Sequence, residues 1–244
     1  MEHWESLCPG GLRFVYDDVH FRPGTDSFAL SSLPRLKPGW RVCDLGCGTG
    51  LLSLLLLQRQ PQLQVTGVEL QPQAAELCRR AAAENQLEDR LCTTTGDLRK
   101  IRSLLPAGSF DLVVCNPPYY PPGSGKVSAA APLRDARSEH GCTLEEVCAA
   151  AAYLLRWGGS FCLVHKPERM ADVLCALRAS SLEAKRLRMV SCRAGLAPSL
   201  VLAEGRRGGR PGLQVEPPLI LETPEGMPTK EADAIYFRKQ EDTP

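Results

Sequence analysis

Apolar and polar positions along the 244-residue chain fall into short apolar runs that alternate with longer segments of helical periodicity. Residues 41–45, 64–68, 91–95, 110–115 and 160–165 read as buried strands bounded by turns. Helical patterns cover 51–57, 72–85, 98–105, 144–156 and 167–180, with Pro72 at the first turn, where a crossover helix tolerates it. This alternation predicts an α/β domain with a mostly parallel sheet and helices on both faces. Ahead of it, residues 12–21 predict a short hairpin turning at Asp17-Asp18. A helix through Phe28, Ala29, Leu30 and Leu33 follows, with Thr25 or Asp26 as its cap. Past residue 181 the pattern changes to strand-like pieces without helices between them, at 182–190, 199–204 and 213–221. A basic, glycine-rich tip (205–212) separates the last two. The organisation expected is an N-terminal hairpin and helix (1–36) packed on a catalytic domain (37–237), with a disordered tail (238–244).

Composition narrows the class. Hydrophobic residues make up 43% of the chain, enough for a sizeable core, and no apolar run approaches the roughly 20 residues of a membrane span. The N-terminus, Met1-Glu2-His3-Trp4-Glu5, lacks the basic and apolar regions of a signal peptide. The 11 cysteines form no Cys-x-x-Cys pair. Cys43, Cys115 and Cys162 lie on apolar faces, where a free thiol acts as a small hydrophobe. A reducing cytoplasm, no disulfide framework and no metal site are expected. The net charge of +1 is uninformative, but Arg156 to Arg210 carries 11 basic residues against 4 acidic ones. Such a half is either a phosphate-facing surface or solvated charge.

The candidate chemistry collects at strand ends, where open α/β sheets bind their ligands. Asp44 and the turn Gly46-Cys47-Gly48-Thr49-Gly50 follow the first strand, and glycines there let backbone approach a ligand closely. Glu69 ends the second strand about 20 residues on, the place of a carboxylate that accepts from ribose hydroxyls. Asp97 ends the third strand and can also cap the helix after it. The fourth strand delivers Asn116-Pro117-Pro118-Tyr119. The prolines cannot continue a central strand, so an amide oxygen, a free carbonyl and an aromatic ring stand together, as holding a planar –NH2 group requires. The alternative is a Pro-rich turn with a buried Tyr. The Gly/Pro/Ser/Ala-rich stretch 120–140 has the length of a functional loop.

Asp44 to Gly50 resembles motif I of class I S-adenosylmethionine-dependent methyltransferases, and Asn116 to Tyr119 resembles motif IV of those that methylate a planar amino nitrogen. The resemblance implies a Rossmann-like, mostly parallel seven-stranded sheet closed by an antiparallel C-terminal hairpin, and S-adenosyl-L-methionine as cofactor. It also implies cofactor contacts from Thr25, Asp26, Asp44, Gly46, Gly48, Gly50, Glu69, Leu70, Asp97, Leu98 and Asn116, with Asp97 meeting the adenine amine. If Asn116 Oδ1 and the Pro117 carbonyl accept both amine hydrogens, the nitrogen lone pair turns towards the methyl group. Tyr119 would stack on the target base, and Asn116, Pro117, Pro118 and Tyr119 form the expected catalytic set.

Over roughly residues 10–237 the chain resembles the bacterial tRNA1(Val) (adenine(37)-N(6))-methyltransferase family. The resemblance is carried by Gly24-Thr25-Asp26-Ser27, Ala136 to His140, Leu163 to Arg169, Arg193-Ala194-Gly195 and Glu204 to Gly209, with Ser138 as a departure. It implies a tRNA partner, no metal, no membrane, and RNA contacts from Tyr120, Lys126, Lys166, Arg169, Arg206, Arg207 and Arg210. A release-factor glutamine methyltransferase is the second enzyme reading, but about forty residues precede the first strand and they do not read as its helical domain. A catalytically silent cofactor-binding scaffold is the non-enzyme reading, and the intact motifs speak against it. Oligomeric state is not legible.

Overall fold

The computed structural model describes residues 1–17, 24–117 and 142–238. The centre of the sheet is β3 (Arg41–Leu45), flanked in parallel by β4 (Gln64–Glu69) and β6 (Phe110–Cys115), with β5 (Leu91–Thr95) and β7 (Leu155–His165) outside them. β8 (Leu182–Arg193) and β9 (Leu200–Arg207) form an antiparallel hairpin, and β9 also runs antiparallel to β7. The order β8-β9-β7-β6-β3-β4-β5 is the seven-stranded class I arrangement. Two short strands, β10 (Gln214–Val215) and β11 (Leu219–Glu222), extend it to nine along the far edge of β8.

Alternation along the strands builds two core layers. Val42, Val65, Leu112 and Val114 face one side, packed with α1 (Thr25–Ser32), α2 (Leu51–Arg59) and α3 (Pro72–Glu84). Cys43, Leu45, Val113 and Cys115 face the other. There they meet the short α4 (Ile101–Leu104), α5 (Leu144–Leu154) and α6 (Met170–Ala179). All seven residues from Leu51 to Leu57 are buried, which is why α2 needs no amphipathic pattern. Cys43, Cys115 and Cys162 are core residues, and burial pushes their thiols well above the ordinary range.

Arg13–Asp17 (β2) pairs with Glu2–Ser6 (β1), and the second arm expected after the Asp17-Asp18 turn lies outside the described residues. Glu2–Ser6 is too polar to announce itself and becomes a strand through its partner, whose Phe14 and Val15 reach the core. The N-cap of α1 is Gly24, with no side-chain cap bond. Asp26 instead accepts from the next backbone N–H, at Ser27.

β7 also departs from the expectation, beginning at Leu155 rather than Ser160. Leu155 faces Phe110 and Ser160 faces Leu112, so residues 156–159 bulge out of register. Gly158 supplies the left-handed φ of +78° that the bulge needs. A side chain at Gly159 would lie 3.0 Å from two backbone carbonyls. Opposite this bulge β9 continues through Arg207, so Gly205, Arg206 and Arg207 belong to a strand and not to a loop tip.

Candidate active site

The carboxyl ends of β3, β4 and β6 converge on one edge of the sheet, as their parallel register requires. The glycine turn after β3 folds back on β4. The N–H groups of Gly46 and Cys47 both donate to the Val68 carbonyl, at 2.8 and 3.1 Å. Gly48, at φ +55°, has open space where a side chain would stand. Gly50, at φ +88°, packs so closely on α3 that an added Cβ would lie 2.5 Å from Cys78 Sγ. These two positions explain the spacing: the first opens a surface and the second seats the helix.

Glu69 closes the turn from the other side. Its Oε2 accepts from Gly48 N and its Oε1 from Gln71 N, each at 2.8 Å. A carboxylate offers about four acceptor positions, so two remain for a diol. Thr49 Oγ1 is buried with no hydrogen-bond partner among the described residues, an orphan of the kind a bound polar group would satisfy. The exposed Leu70 follows the end of β4 and offers apolar surface, while Leu98, after the neighbouring β5, is buried in the core. An open glycine turn, a half-satisfied carboxylate and an orphaned hydroxyl fit a nucleoside with polar substituents, such as S-adenosyl-L-methionine.

Asp44 is 1% exposed and accepts from Ser53 Oγ at 2.7 Å. Burial pushes its carboxyl up from 3.8 to about 7, with the Ser53 hydrogen bond opposing and the Glu69 charge adding. The folded chain therefore holds this proton more tightly than the unfolded chain, and stability from this group is lost as pH rises from 3.8 through about 7. Asp44→Asn keeps an acceptor for Ser53 and removes the charge. The urea midpoint of the wild type is expected to fall relative to that of the variant between about pH 4 and 7. Parallel pH profiles would show that Asp44 does not carry the shift.

Asp97 takes the capping role. It accepts from Arg99 N at 2.9 Å, capping a 3-10 turn at Leu98–Lys100, and the Arg99 guanidinium donates to both its oxygens, Nε to Oδ1 and Oδ2 and Nη2 to Oδ2. Those hydrogen bonds hold its carboxyl below the ordinary value.

Asn116 follows β6 directly and Pro117 is buried behind it. Asn116 Nδ2 donates to Ser27 Oγ on α1 at 3.1 Å. Thr25, at the first turn of the same helix, accepts from Tyr236 OH at 2.9 Å. The structure thus brings Thr25, Asp26, Asp44, the glycines, Glu69, Leu70 and Asn116 to one edge. Pro118, Tyr119, Tyr120 and Lys126, with Ala136 to His140, lie outside the described residues.

The basic residues divide between two edges. Lys166 and Arg169 follow the carboxyl end of β7, on the Asn116 side. His165, the last residue of β7, stays neutral, since burial, with Arg169 adding, pushes it down to about 4. Arg206 and Arg207 lie at the opposite edge, because Arg206 faces Ser160 while Val201 faces His165. Five strand residues, roughly 17 Å, separate the two. Both arginines bind backbone carbonyls there, Arg206 that of Gly158 at 3.0 Å and Arg207 those of Tyr153 and Leu155. The Arg210 carbonyl accepts from Lys185 Nζ at 3.1 Å.

Ser27, Thr49, Ser53 and Arg99 were not singled out by the sequence. Ser53 carried a faint signal, as the lone hydroxyl in an otherwise apolar run nine residues after Asp44. Among the described residues, no cluster of His, Cys, Asp and Glu could hold a metal ion, and no helix is long and apolar enough to cross a membrane.

Comparison with known proteins points the same way. Residues 15–180 match the methyltransferase small domain family. A tRNA1(Val) (adenine(37)-N6)-methyltransferase of Porphyromonas gingivalis strain W83 is 36% identical, over 80% of this chain and 74% of its own. The protein of that name from Tolumonas auensis is 29% identical over 94% of this chain and 98% of its own. Among solved structures, a predicted O-methyltransferase from Agrobacterium tumefaciens superposes with a TM-score of 0.71 at 22% identity. That match covers 87% of this chain and 96% of the other.

Proposed function

The chain belongs to the methyltransferase small domain family, and from that premise we propose that it transfers a methyl group from S-adenosyl-L-methionine to the exocyclic amine of an adenine in tRNA. The names of its relatives support the target, down to the adenine next to the anticodon of tRNA(Val). The observation that carries the reading is Asn116-Pro117 at the strand end beside the glycine turn, with the Asn116 amide held by Ser27. When bound, the cofactor would supply an electrophilic methyl group on a sulfonium, leaving a neutral thioether once the methyl is transferred. The Asn116 amide oxygen and the Pro117 carbonyl would accept the two amine hydrogens, which directs the nitrogen lone pair outward, and the proton lost on alkylation would leave to solvent. Positioning does most of the work.

Glu69 would hold the ribose, Gly46 and Gly48 would admit the methionine end, and Leu70, Asp97 and Leu98 would hold the adenine. Lys166 and Arg169 meet phosphates close to the target, while Arg206, Arg207 and Arg210 meet a more distant part of the same large RNA. A cytoplasmic location fits such a substrate. The test is transfer of labelled methyl to unmodified bulk tRNA, followed by nucleoside analysis. N6-methyladenosine is the expected product. Transfer to a release-factor fragment instead would overturn the reading in favour of a glutamine target.

A further inference from the structure

We propose that Ser27 is a positioning residue that holds the Asn116 amide in place at the strand end, an inference resting on Asn116 as the hydrogen acceptor in the reaction. Asn116 Nδ2 donates to Ser27 Oγ at 3.1 Å, which ties a side chain with two rotatable bonds to a fixed point on α1. A serine hydroxyl can accept or donate, so the bond fixes where the amide stands, and the target amine, which needs an acceptor, is met by Oδ1. Ser27 is 2% exposed, so water is poorly placed to replace the hydroxyl as acceptor.

The anchor works because α1 is itself fastened at three places. Tyr236 OH donates to Thr25 Oγ1 at 2.9 Å, and Arg59 Nε donates to Ser31 Oγ at 3.0 Å. Arg186 Nη2 donates to the Leu33 carbonyl at 2.7 Å, from a guanidinium that also pairs with Glu204 and Glu216. Arg59 continues to the Ile235 carbonyl at 3.0 Å. The C-terminal helix α7 (Lys230–Ile235) and the β8–β9 hairpin thus hold the helix that orients the amide.

Steady-state kinetics on tRNA with Ser27→Ala and Ser27→Thr test this, together with cofactor affinity by calorimetry. Ser27→Ala frees the amide to swing at the strand end and is expected to lower kcat about tenfold, with KM for tRNA and cofactor Kd within about twofold. Ser27→Thr keeps the hydroxyl and is expected to recover most of kcat. An unchanged kcat in the Ala variant would overturn the inference. So would a Thr variant as slow as the Ala one, or a kcat loss matched by equal losses of cofactor binding and thermal stability. Asn116→Ala in the same assay separates the two claims. If it retains activity, the acceptor reading itself fails; if it is dead while Ser27→Ala is normal, only the positioning role fails.

Discussion

Asn116→Ala is expected to bind cofactor within a few-fold of the wild type and to transfer methyl at least about 10³-fold more slowly. The amine nitrogen of adenine is a weak nucleophile because its lone pair is delocalised into the ring. Acceptors fixed before the reaction favour the pyramidal, partly positive nitrogen without reorganising, and they act where water is excluded. Asn116 suits this because it sits just past a rigid central strand and one end of its amide is already committed to Ser27. Ala removes the acceptor and keeps the backbone. Pro117 still offers its carbonyl, so binding of the base is less affected than its reaction. Single-turnover transfer to unmodified tRNA reads the rate, and calorimetry reads the cofactor. A large loss of cofactor affinity would make Asn116 a structural residue, and a rate within tenfold of wild type would remove it from the reaction.

How far the sequence disclosed this site depended on the range of each interaction. The glycine turn, Glu69 and Asn116 were legible because each ends an apolar run, and parallel strands deliver their ends to one edge. Ser27 was not, since its bond to Asn116 spans 89 positions and no local pattern marks a serine as an anchor. Asp97 was legible as a cap, whereas the Arg99 fork across it depends on rotamers the sequence does not specify. The placing of Arg206 and Arg207 turned on the 156–159 bulge. A Gly-Gly pair after a helix reads as a terminator, yet here Gly158 lets the strand start five residues earlier, at Leu155 instead of Ser160, and β9 lengthens to match. Glu2–Ser6 was hidden for the opposite reason, its strand character being imposed by Arg13–Asp17.

Glu69→Ala is expected to weaken S-adenosyl-L-methionine binding about 100-fold, by calorimetry, with Glu69→Gln in between. Two effects combine. The carboxylate accepts from Gly48 N and Gln71 N at 2.8 Å, so its loss frees two backbone donors and loosens the glycine turn. It also removes the acceptor proposed for the ribose diol, whose hydrogen bonds to a charged group are worth about 1.5–3 kcal/mol each. Gln keeps one accepting oxygen and loses the charge, hence the middle value. A cofactor analogue lacking the ribose hydroxyls separates brace from contact. If Glu69 holds the diol, the analogue binds the wild type much more weakly than the natural cofactor does, and the Ala variant no longer tells the two apart. If the wild type and the variant discriminate equally, Glu69 only braces the turn and the diol lies elsewhere. The second outcome would leave the fold untouched and redraw the cofactor site around Thr49, whose buried hydroxyl is the other acceptor at this turn.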